Sequence, residues 1–515
     1  MKRMYSKALI FLLLTALALT ACSGKPGSDA SGGTPAAEKV LTIAHASDIK
    51  GFDFQNNNIT LTSAVLVNVF DSLVKKDANA NYQIAPLLAA SWEQKDPLTW
   101  RFVLRKDVKF HNGDPFTSAD VKYSLERVMG DTKLIANSTF KNLNAIQIVD
   151  DYTVDITTKE PDPILLNRLS GNTASIFPSK YIKDQGFDAF LKNPVGTGPY
   201  QYSKWLKDDR VELVKNKSYY GGEPKWDKVV FRTIPEDSTR AAELLTGGVD
   251  IAVNIAPGDV DRVEKNDKTH AVLAPIQRVI QMWFKTQGDG PTANPKVREA
   301  IELAVNNKEI ADKIMGGSAI PTKTQVTPGN FGADNSLFDK FAYDPQKAKA
   351  LLQEAGYGDG LKINISANNM FKEVAEAVAG MLDAVGIKAN VDLLEQNKFA
   401  EKLNSKTLNE VSLLGWGNSD FDGSVLDQYQ IERAKGITDY NNAEVDKLLK
   451  NAAKNMNAKE REQQYQAVQQ QIVKDRPAVY LFQLKGRYGV SDKIDYKPRL
   501  DELYVADEIS LKAGK

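Results

Sequence analysis

Three side chains suited to ligand binding, Trp416, Asp420 and Asp422, lie in the segment LLGWGNSDFDG. The apolar residues before Gly417 predict a strand that ends at this glycine, and ligands of open α/β sheets bind beyond the carboxyl ends of strands. A carboxylate there would form a strong, charge-assisted hydrogen bond with an ammonium group. Left buried without a partner it would be costly, so it would select cations. The alternative is that the aspartate caps the next helix or faces solvent.

The two aspartates also raise the hypothesis of a hydrolase with an acid pair. Carboxylates two residues apart on one loop are poorly placed to flank a bond from opposite sides. The chain has no serine nucleophile elbow, no zinc motif and no cysteine nucleophile, and its one cysteine is Cys22. We therefore predict a binding protein without catalytic residues, not an enzyme.

Two other motifs suggest chemistry but favour a structural role. His111 in FHNGDPF is surrounded by turn residues, and neither His45 nor His270 is within ligand spacing of it. The segment GTGPY (196–200) lacks both the Lys-Ser/Thr pair and the third spaced glycine of a phosphate-binding loop. It is more typical of a chain reversal. We predict no metal site and no cofactor.

The first 21 residues predict an export signal. Three basic side chains precede 14 almost wholly apolar residues, 8–21, a run too short to span a bilayer, for which about 20 are needed. The following LTAC, which ends at Cys22, resembles the bacterial lipobox, where the cysteine thiol is acylated and the chain is cut just before it. We expect residues 1–21 to be removed and Cys22 to carry lipid; the alternative is a free or buried thiol.

The segment after the cysteine, residues 22–39, is rich in Gly, Ser, Ala and Pro and predicts a flexible tether. No second apolar run of membrane length follows. Loss of the three positive charges in residues 1–21 leaves 63 basic against 66 acidic side chains, a net charge near −3, which argues against nucleic acid as a partner. We predict an exported protein, lipid-anchored to the outer face of the cell membrane or periplasmic in a host with two membranes.

The body of the chain mixes strand and helix patterns. Thr117 with Asp120 fits a capping box, and Asn294 before Pro295 begins a predicted helix that Gly316 ends. The strand-helix-strand order of residues 361–395 favours a right-handed crossover to a parallel strand. The alternating patterns predict strands at 41–47, 99–110, 152–160 and 410–417.

Four segments carry a family resemblance. The most specific is LAASWEQKDPLTWRFVLRKDVKFHNGDPFTSADVKYSLERV (88–128), and the others are NPVGTGPYQYSKW (193–205), NPKVREAIELAVN (294–306) and YDPQKAKALLQEAGY (343–357). Together they resemble the bacterial extracellular solute-binding proteins of family 5. These are the dipeptide-, oligopeptide- and nickel-type substrate-binding subunits of ABC importers. The resemblance runs from residue 40 or so to the end of the chain.

The resemblance implies an α/β fold with mixed sheets, in the bilobal, three-domain arrangement of type II periplasmic binding proteins. The two lobes would close on a ligand, which drives closure by binding the closed state better. The implied division is lobe 1 at 40–70, 193–282 and 491–515, an inserted domain at 71–192, and lobe 2 at 283–490.

Ligand contacts are also implied by the resemblance. In peptide-binding relatives an aspartate in the loop after the matching GW holds the ligand's α-ammonium, a role that would fall to Asp422 or Asp420. An ungapped alignment places Lys372 where dipeptide binders carry an arginine for the ligand carboxylate. A lysine can pair with a carboxylate, but it lacks the two-pronged fork with which arginine binds both oxygens. The relatives' DPDN run is DFDGS here. Both departures weigh against a dipeptide and leave a longer peptide or an oligosaccharide open.

Further candidate contacts lie in two other segments. Asn57, Asn58 and Thr60 follow the first strand where the resemblance places the ligand-facing part of lobe 1, and amide side chains offer donors and acceptors together. The alternative is a plain polar loop. Trp283 and Trp416 could stack on a ligand, although packing is the favoured interpretation for Trp283.

These features together predict the substrate-binding lipoprotein of an ABC importer. It would capture a solute and deliver it to membrane permease subunits driven by a separate ATPase. The favoured solute is an oligopeptide or a dipeptide, with an oligosaccharide as the alternative, and the protein is expected to be a monomer. A sensor that uses the same closure to signal to a receptor is the alternative.

Overall fold

The structure is a computed structural model that describes residues 38–57 and 59–512. The predicted export signal, Cys22, most of the tether and Asn58 lie outside these residues. Within the described part of the chain, no helix has both the length and the apolar character needed to cross a membrane.

Strands and helices alternate irregularly along the described residues. The strands are β1 (Val40–His45), β2 (Val74–Asp77), β3 (Gln83–Pro86), β4 (Ala89–Asp96), β5 (Thr99–Leu104), β6 (Leu143–Asp150), β7 (Thr153–Thr158), β8 (Tyr200–Leu206), β9 (Arg210–Lys215), β10 (Lys228–Thr233), β11 (Ile251–Val253), β12 (Thr269–Phe284), β13 (Ala319–Pro321), β14 (Leu361–Asn368), β15 (Ile387–Leu394), β16 (Val411–Gly417), β17 (Ala478–Ser491), β18 (Ile494–Asp495) and β19 (Ser510–Leu511). The helices are α1 (Thr60–Leu66), α2 (Ser118–Gly130), α3 (Asn137–Phe140), α4 (Leu165–Leu169), α5 (Ser179–Gln185), α6 (Phe187–Lys192), α7 (Asp237–Leu245), α8 (Val260–Glu264), α9 (Pro295–Ala304), α10 (Asn307–Glu309), α11 (Pro345–Glu354), α12 (Lys372–Asp383), α13 (Gln396–Asn404), α14 (Ile431–Ala434), α15 (Ala443–Ala452) and α16 (Ala458–Asp475).

The largest sheet has eleven strands, in the order β15-β14-β16-β12-β17-β11-β1-β10-β9-β8, with β13 paired to β17. Strand β1 lies parallel to β10 and β11, whereas β12 pairs antiparallel with β16 and β17. Strand β14 lies parallel to both β15 and β16, which confirms the parallel crossover predicted for that stretch. The sheet is mixed, and the fold class is α/β as predicted.

A second, antiparallel sheet of four strands has the order β4-β5-β7-β6. On β5, Phe102 and Leu104 are buried in an apolar core shared with Val121 of α2, while Val103 on the opposite face is 40% exposed. This alternation is the half-buried pattern of an antiparallel strand with one solvated face. The strand ends at Leu104, six residues earlier than predicted from the alternation through Phe110.

Two helix predictions have different outcomes. The capping box at the start of α2 is present, with Thr117 N donating to Asp120 Oδ2 at 2.9 Å. The helix predicted from Asn294 to Gly316 instead ends at Ala304. Val305 is extended, and the Asn306 side chain accepts from Glu309 N to cap a new helical turn. The apolar period continues across this break, so periodicity alone did not predict it.

His111 and the GTGPY segment pack against each other. The His111 ring contacts Gly198 O at 3.0 Å through Nε2 and accepts from Gly196 N at 3.2 Å through Nδ1. Burial lowers the pKa of His111 to about 4. A Cβ on Gly196 would lie 1.9 Å from Val69 O, so this glycine permits a close backbone approach. Both motifs are therefore structural.

Candidate functional site

A network of buried amides positions the loop that follows β16. Asn418 N donates to Gln277 O at 3.0 Å, and Asn418 Nδ2 donates to Asn330 Oδ1 at 2.9 Å and to Asp422 O at 3.1 Å. Gln325 Nε2 donates to Trp416 O at 2.8 Å. Because buried backbone and amide groups are costly when unpaired, these bonds hold the loop in one conformation.

Asp422 is engaged in a buried ion pair. Its Oδ2 accepts from Arg461 Nη1 at 2.8 Å, its Oδ1 accepts from Arg461 Nη2 and from Ser424 N, and the side chains are 2% and 4% exposed. Asp422 also caps the 3₁₀ segment Gly423–Tyr429. The capping alternative raised by the sequence is therefore what the structure shows. Both carboxylate oxygens are occupied, so we do not retain Asp422 as a ligand contact.

Asp420, two residues earlier, has a different environment. It lines a cavity of about 1170 Å³, and its carboxylate makes no hydrogen bond or ion pair with any residue that the structure describes. Burial raises the pKa of Asp420, against the attraction of Lys76 and Arg168. Its backbone oxygen accepts from Asn167 Nδ2 at 2.7 Å. Phe421, which follows, has a left-handed φ of 58° and turns the chain between the two aspartates.

The large cavity is lined by residues 138–168 on one side and 420–454 on the other. Six basic side chains face it: Lys141, Lys159, Arg168, Arg433, Lys450 and Lys454. Four acidic side chains face it: Glu160, Asp162, Asp420 and Asp427. The cavity therefore offers groups of both signs to a ligand, which suits a zwitterion better than a simple ion.

Asp427 and Arg433 were not predicted from the sequence. Burial raises the pKa of Asp427 to about 6, and its Oδ1 lacks a hydrogen-bond partner. The Arg433 guanidinium makes no ion pair within the described chain and lines a second cavity as well. The run DQYQIER carries no motif, and its residues come together only because Asp422 begins a 3₁₀ turn there. The sequence offered no signal for them.

The second cavity has a volume of about 280 Å³. It is lined by both predicted tryptophans, Trp283 of β12 and Trp416 of β16, whose ring centroids are 5.3 Å apart. They meet because β12 and β16 pair antiparallel and place both side chains on one face of the large sheet. The remaining lining residues are Leu403, Asn404, Lys406, Gln428, Tyr429, Arg433, Ile437 and Thr438.

Three other predicted contacts line neither cavity. Asn57 is buried, and its amide bonds to Ile59 and Ser63, so it shapes the entry to α1. Thr60 is the first residue of that helix. Lys372 is exposed at the start of α12, with Glu376 as its ion-pair partner at 3.8 Å. The position inferred for Lys372 by ungapped alignment does not bring it to the cavity.

Comparison with known proteins gives consistent matches. A family model described as bacterial extracellular solute-binding proteins, family 5 Middle, matches residues 83–436. The glutathione-binding protein GsiB of Salmonella choleraesuis is 32% identical over 467 residues, which cover 86% of this chain and 89% of GsiB.

Solved structures match over nearly the whole described chain. The periplasmic binding protein DppA of Helicobacter pylori, in complex with peptide STSA, is 27% identical with a TM-score of 0.77, over 92% of this chain and 98% of DppA. The substrate-binding protein CtaP of Listeria monocytogenes is 20% identical with a TM-score of 0.82, over 92% and 99%; this match shows the fold alone. The neighbours are bilobal periplasmic binding proteins of type II, which confirms the predicted fold class.

Proposed function

Because the chain belongs to the bacterial extracellular solute-binding proteins of family 5, we propose that it captures a peptide-like solute and delivers it to the permease subunits of an ABC importer. Proteins of this family are transport binding proteins, not enzymes. A separate ATPase would drive the permease. The relatives that bind glutathione and peptide STSA support a ligand with peptide bonds and charged termini.

The observation that carries this proposal is the unpaired carboxylate of Asp420 in a cavity that also holds Asp427 and Arg433. An ammonium group beside Asp420 would compensate a partly buried acid whose raised pKa reflects the cost of its charge, and Asp427, whose pKa is also raised, adds a second such acid to the cavity lining. The Arg433 guanidinium suits a ligand carboxylate because its two-pronged fork donates hydrogen bonds to both oxygens. An amino-acid or peptide zwitterion supplies both groups.

We also propose the division into lobe 1, an inserted domain and lobe 2 given above, with closure of the lobes over the ligand. Contacts that support closure join residues of the inserted domain to residues of lobe 2. Glu160 Oε1 pairs with Lys454 Nζ at 2.6 Å, and the Tyr82 ring stacks on Phe421 at 4.5 Å between centroids. A ligand would stabilise this state by its contacts to both sides.

The proposal includes the lipid anchor on Cys22 and a monomeric body. The N-terminal pattern supports export and acylation at this cysteine. Mass spectrometry of the membrane-bound protein tests it: a diacylglycerol adduct on an N-terminal Cys22 is expected, and an unmodified thiol would exclude the anchor.

The first experiment for the ligand is native mass spectrometry of purified full-length protein, followed by denaturation to release bound compounds. We expect peptides from the wild type and from the control Asp261→Asn, whose side chain is 86% exposed, and a much smaller load from Asp420→Asn. An oligosaccharide load would contradict the peptide assignment, and a peptide load that Asp420→Asn leaves unchanged would contradict the site.

A further inference from the structure

We propose that the stacked rings of Tyr82 and Phe421 form a latch that holds part of the ligand-free protein closed, so that some molecules are closed before a ligand arrives. Tyr82 lies in the proposed inserted domain, and Phe421 lies in the proposed lobe 2, on the loop that carries Asp420. The inference rests on the lobe closure of the proposed function and goes beyond it. It assigns control of the open and closed populations to two side chains that line neither cavity.

Both residues of the stack have an unusual backbone conformation. The φ angle is 60° at Tyr82 and 58° at Phe421, in the left-handed region where a bulky residue is a rare outlier. Such residues persist where the surrounding contacts fix them, and they concentrate at ligand clamps and switches. Hairpin turns with left-handed residues prefer Gly and Asn, as at Asn81. A tyrosine at the next position indicates that its ring is needed there.

The Phe421 ring is covered by the inserted domain. Its centroid lies 4.5 Å from that of Tyr82 with 29° between the ring planes, and Lys76 Nζ lies 5.5 Å from the same centroid. Phe421 is 4% exposed, yet among the described residues it is not part of the buried apolar core around Leu426 and Tyr429. Separation of the lobes would expose this apolar ring to water, which is unfavourable. The stack therefore favours the closed state with or without a ligand.

The hairpin of β2 and β3, which carries Tyr82, is fixed to lobe 1. The Tyr82 hydroxyl accepts from Leu500 N. The Arg499 guanidinium lies 5.6 Å from the Tyr82 ring centroid and donates to Lys76 O at 3.3 Å, and Arg499 pairs with Asp501 at 2.7 Å. The hairpin would therefore move with lobe 1, and the stack on Phe421 is among the contacts that would separate on opening.

The latch and the proposed ligand site share one loop. Asp420, which lines the large cavity, directly precedes Phe421. The Asp420 backbone oxygen also accepts from Asn167 Nδ2 of the inserted domain at 2.7 Å. A ligand that binds the closed state would then supply only the part of the closing free energy that these contacts do not. The latch would in this way raise the affinity for a ligand that it does not touch.

The test measures the distance between the two sides of the ligand-free protein by double electron–electron resonance. Spin labels are attached to Asn144→Cys in the inserted domain and Lys447→Cys in lobe 2, two exposed positions outside both cavities. The full-length chain also carries Cys22→Ser, because Cys22 is the one cysteine of the sequence. Unfolding in urea and refolding removes bound compounds. We expect two distances, of which the shorter matches the structure.

Substitutions at the two rings assign the shorter distance to the latch. Tyr82→Ala should lower the ratio of closed to open molecules about fivefold, the effect of one aromatic pair. The matched control Tyr82→Phe keeps the ring and loses the hydroxyl, so it should retain the wild-type ratio. In a Phe421→Leu background, Tyr82→Ala should have no further effect, because the two rings act as one pair. Thermal unfolding checks that every variant is folded.

Three results would overturn the latch. One is a single, open distance in the ligand-free wild type. Another is a ratio of closed to open molecules that Tyr82→Ala leaves unchanged. The third is a Tyr82→Phe ratio as low as that of Tyr82→Ala, which would place the effect in the hydroxyl bond to Leu500 N instead of the stack.

The outcomes also separate the latch from the proposed function, because the two distances are measured without any peptide. A ratio that depends on Tyr82, in a protein that carries no peptide load, would overturn the assignment of a peptide ligand and support the latch. A peptide load that depends on Asp420, together with a ratio that does not depend on Tyr82, would overturn the latch alone.

Discussion

Asp420 and Asp422 are two residues apart on one loop, yet their environments are opposite. Asp422 is paired through both oxygens to Arg461 and is 2% exposed, whereas the Asp420 carboxylate faces a cavity without a partner among the residues described. The left-handed turn at Phe421 separates them. A carboxylate that meets a fixed cation stabilises the fold, and one left unpaired at a cavity is available to a ligand.

The largest effect is expected from breaking the buried pair. Asp422→Ala leaves the Arg461 guanidinium buried without its partner, which typically lowers the free energy of unfolding by about 3–5 kcal/mol. Urea unfolding measures this loss. The double variant Asp422→Ala/Arg461→Met should recover much of it, because no isolated charge remains. A double variant as unstable as the single one would contradict this account.

Asp71 is a second buried carboxylate, and it extends the comparison because its partners are neutral hydroxyls in place of a guanidinium. It accepts from Thr197 Oγ1 and Tyr220 OH, both at 3.0 Å, and burial raises its pKa from 3.8 to about 6. The native state binds this proton more tightly than the unfolded state. Stability should therefore fall as the pH rises from about 4 to about 6, by about 3 kcal/mol.

The matched variant for this pH dependence is Asp71→Asn, which keeps an acceptor for both hydroxyls and removes the titration. We expect its free energy of unfolding, measured in urea between pH 4 and pH 7, to depend less on pH than that of the wild type. Identical profiles would show that Asp71 does not cause the slope. Asp427, whose pKa is also raised to about 6, would then be the next residue to substitute.

An intermediate effect is expected at Asp420. Asp420→Asn should weaken peptide binding about thirtyfold, near 2 kcal/mol, because a charge-assisted hydrogen bond becomes a neutral one. Its melting temperature should stay equal to the wild type or rise, since burial disfavours the charged form of this carboxyl. Calorimetric titration and thermal unfolding measure the two quantities. A variant that loses stability but keeps its affinity would reverse the roles assigned to Asp420 and Asp422.

The smallest effect is expected at the ion pair between Glu160 and Lys454. Both side chains are about half exposed, and exposed pairs contribute at most about 1 kcal/mol. Lys454→Ala should weaken ligand binding less than fivefold or so, and the difference should vanish at high salt. A larger, salt-resistant loss would show that Lys454 contacts the ligand itself.

Local sequence signals predicted much of the fold. The capping box at Thr117 and the Asn294 cap were confirmed, because each depends on residues within three positions. The break after Ala304 was missed, since Asn306 caps a second turn without interrupting the apolar period. Strand alternation likewise continued past the true end of β5 at Leu104.

The site was less predictable for a physical reason. The partner that decides the role of Asp422 is Arg461, 39 residues away on α16. No residue of the loop indicates that this arginine will pair with Asp422. Asp427 and Arg433 reach the cavity through a 3₁₀ segment and a one-turn helix with no motif. Trp283 and Trp416 were identified singly, but their meeting depends on the register of β12 against β16.

The loop that carries Asp420 is held by Asn418, Asn330, Gln277 and Gln325, whose amides carry no charge at any pH. Neither acid nor salt should alter that scaffold directly. In a Lys454→Ala background, which removes the salt-sensitive pair with Glu160, a titration of ligand affinity against ionic strength would then report the ionic contacts made by the ligand itself. The dependence of affinity on salt should be steeper for a ligand whose two charged termini are both bound than for a ligand bound by one terminus.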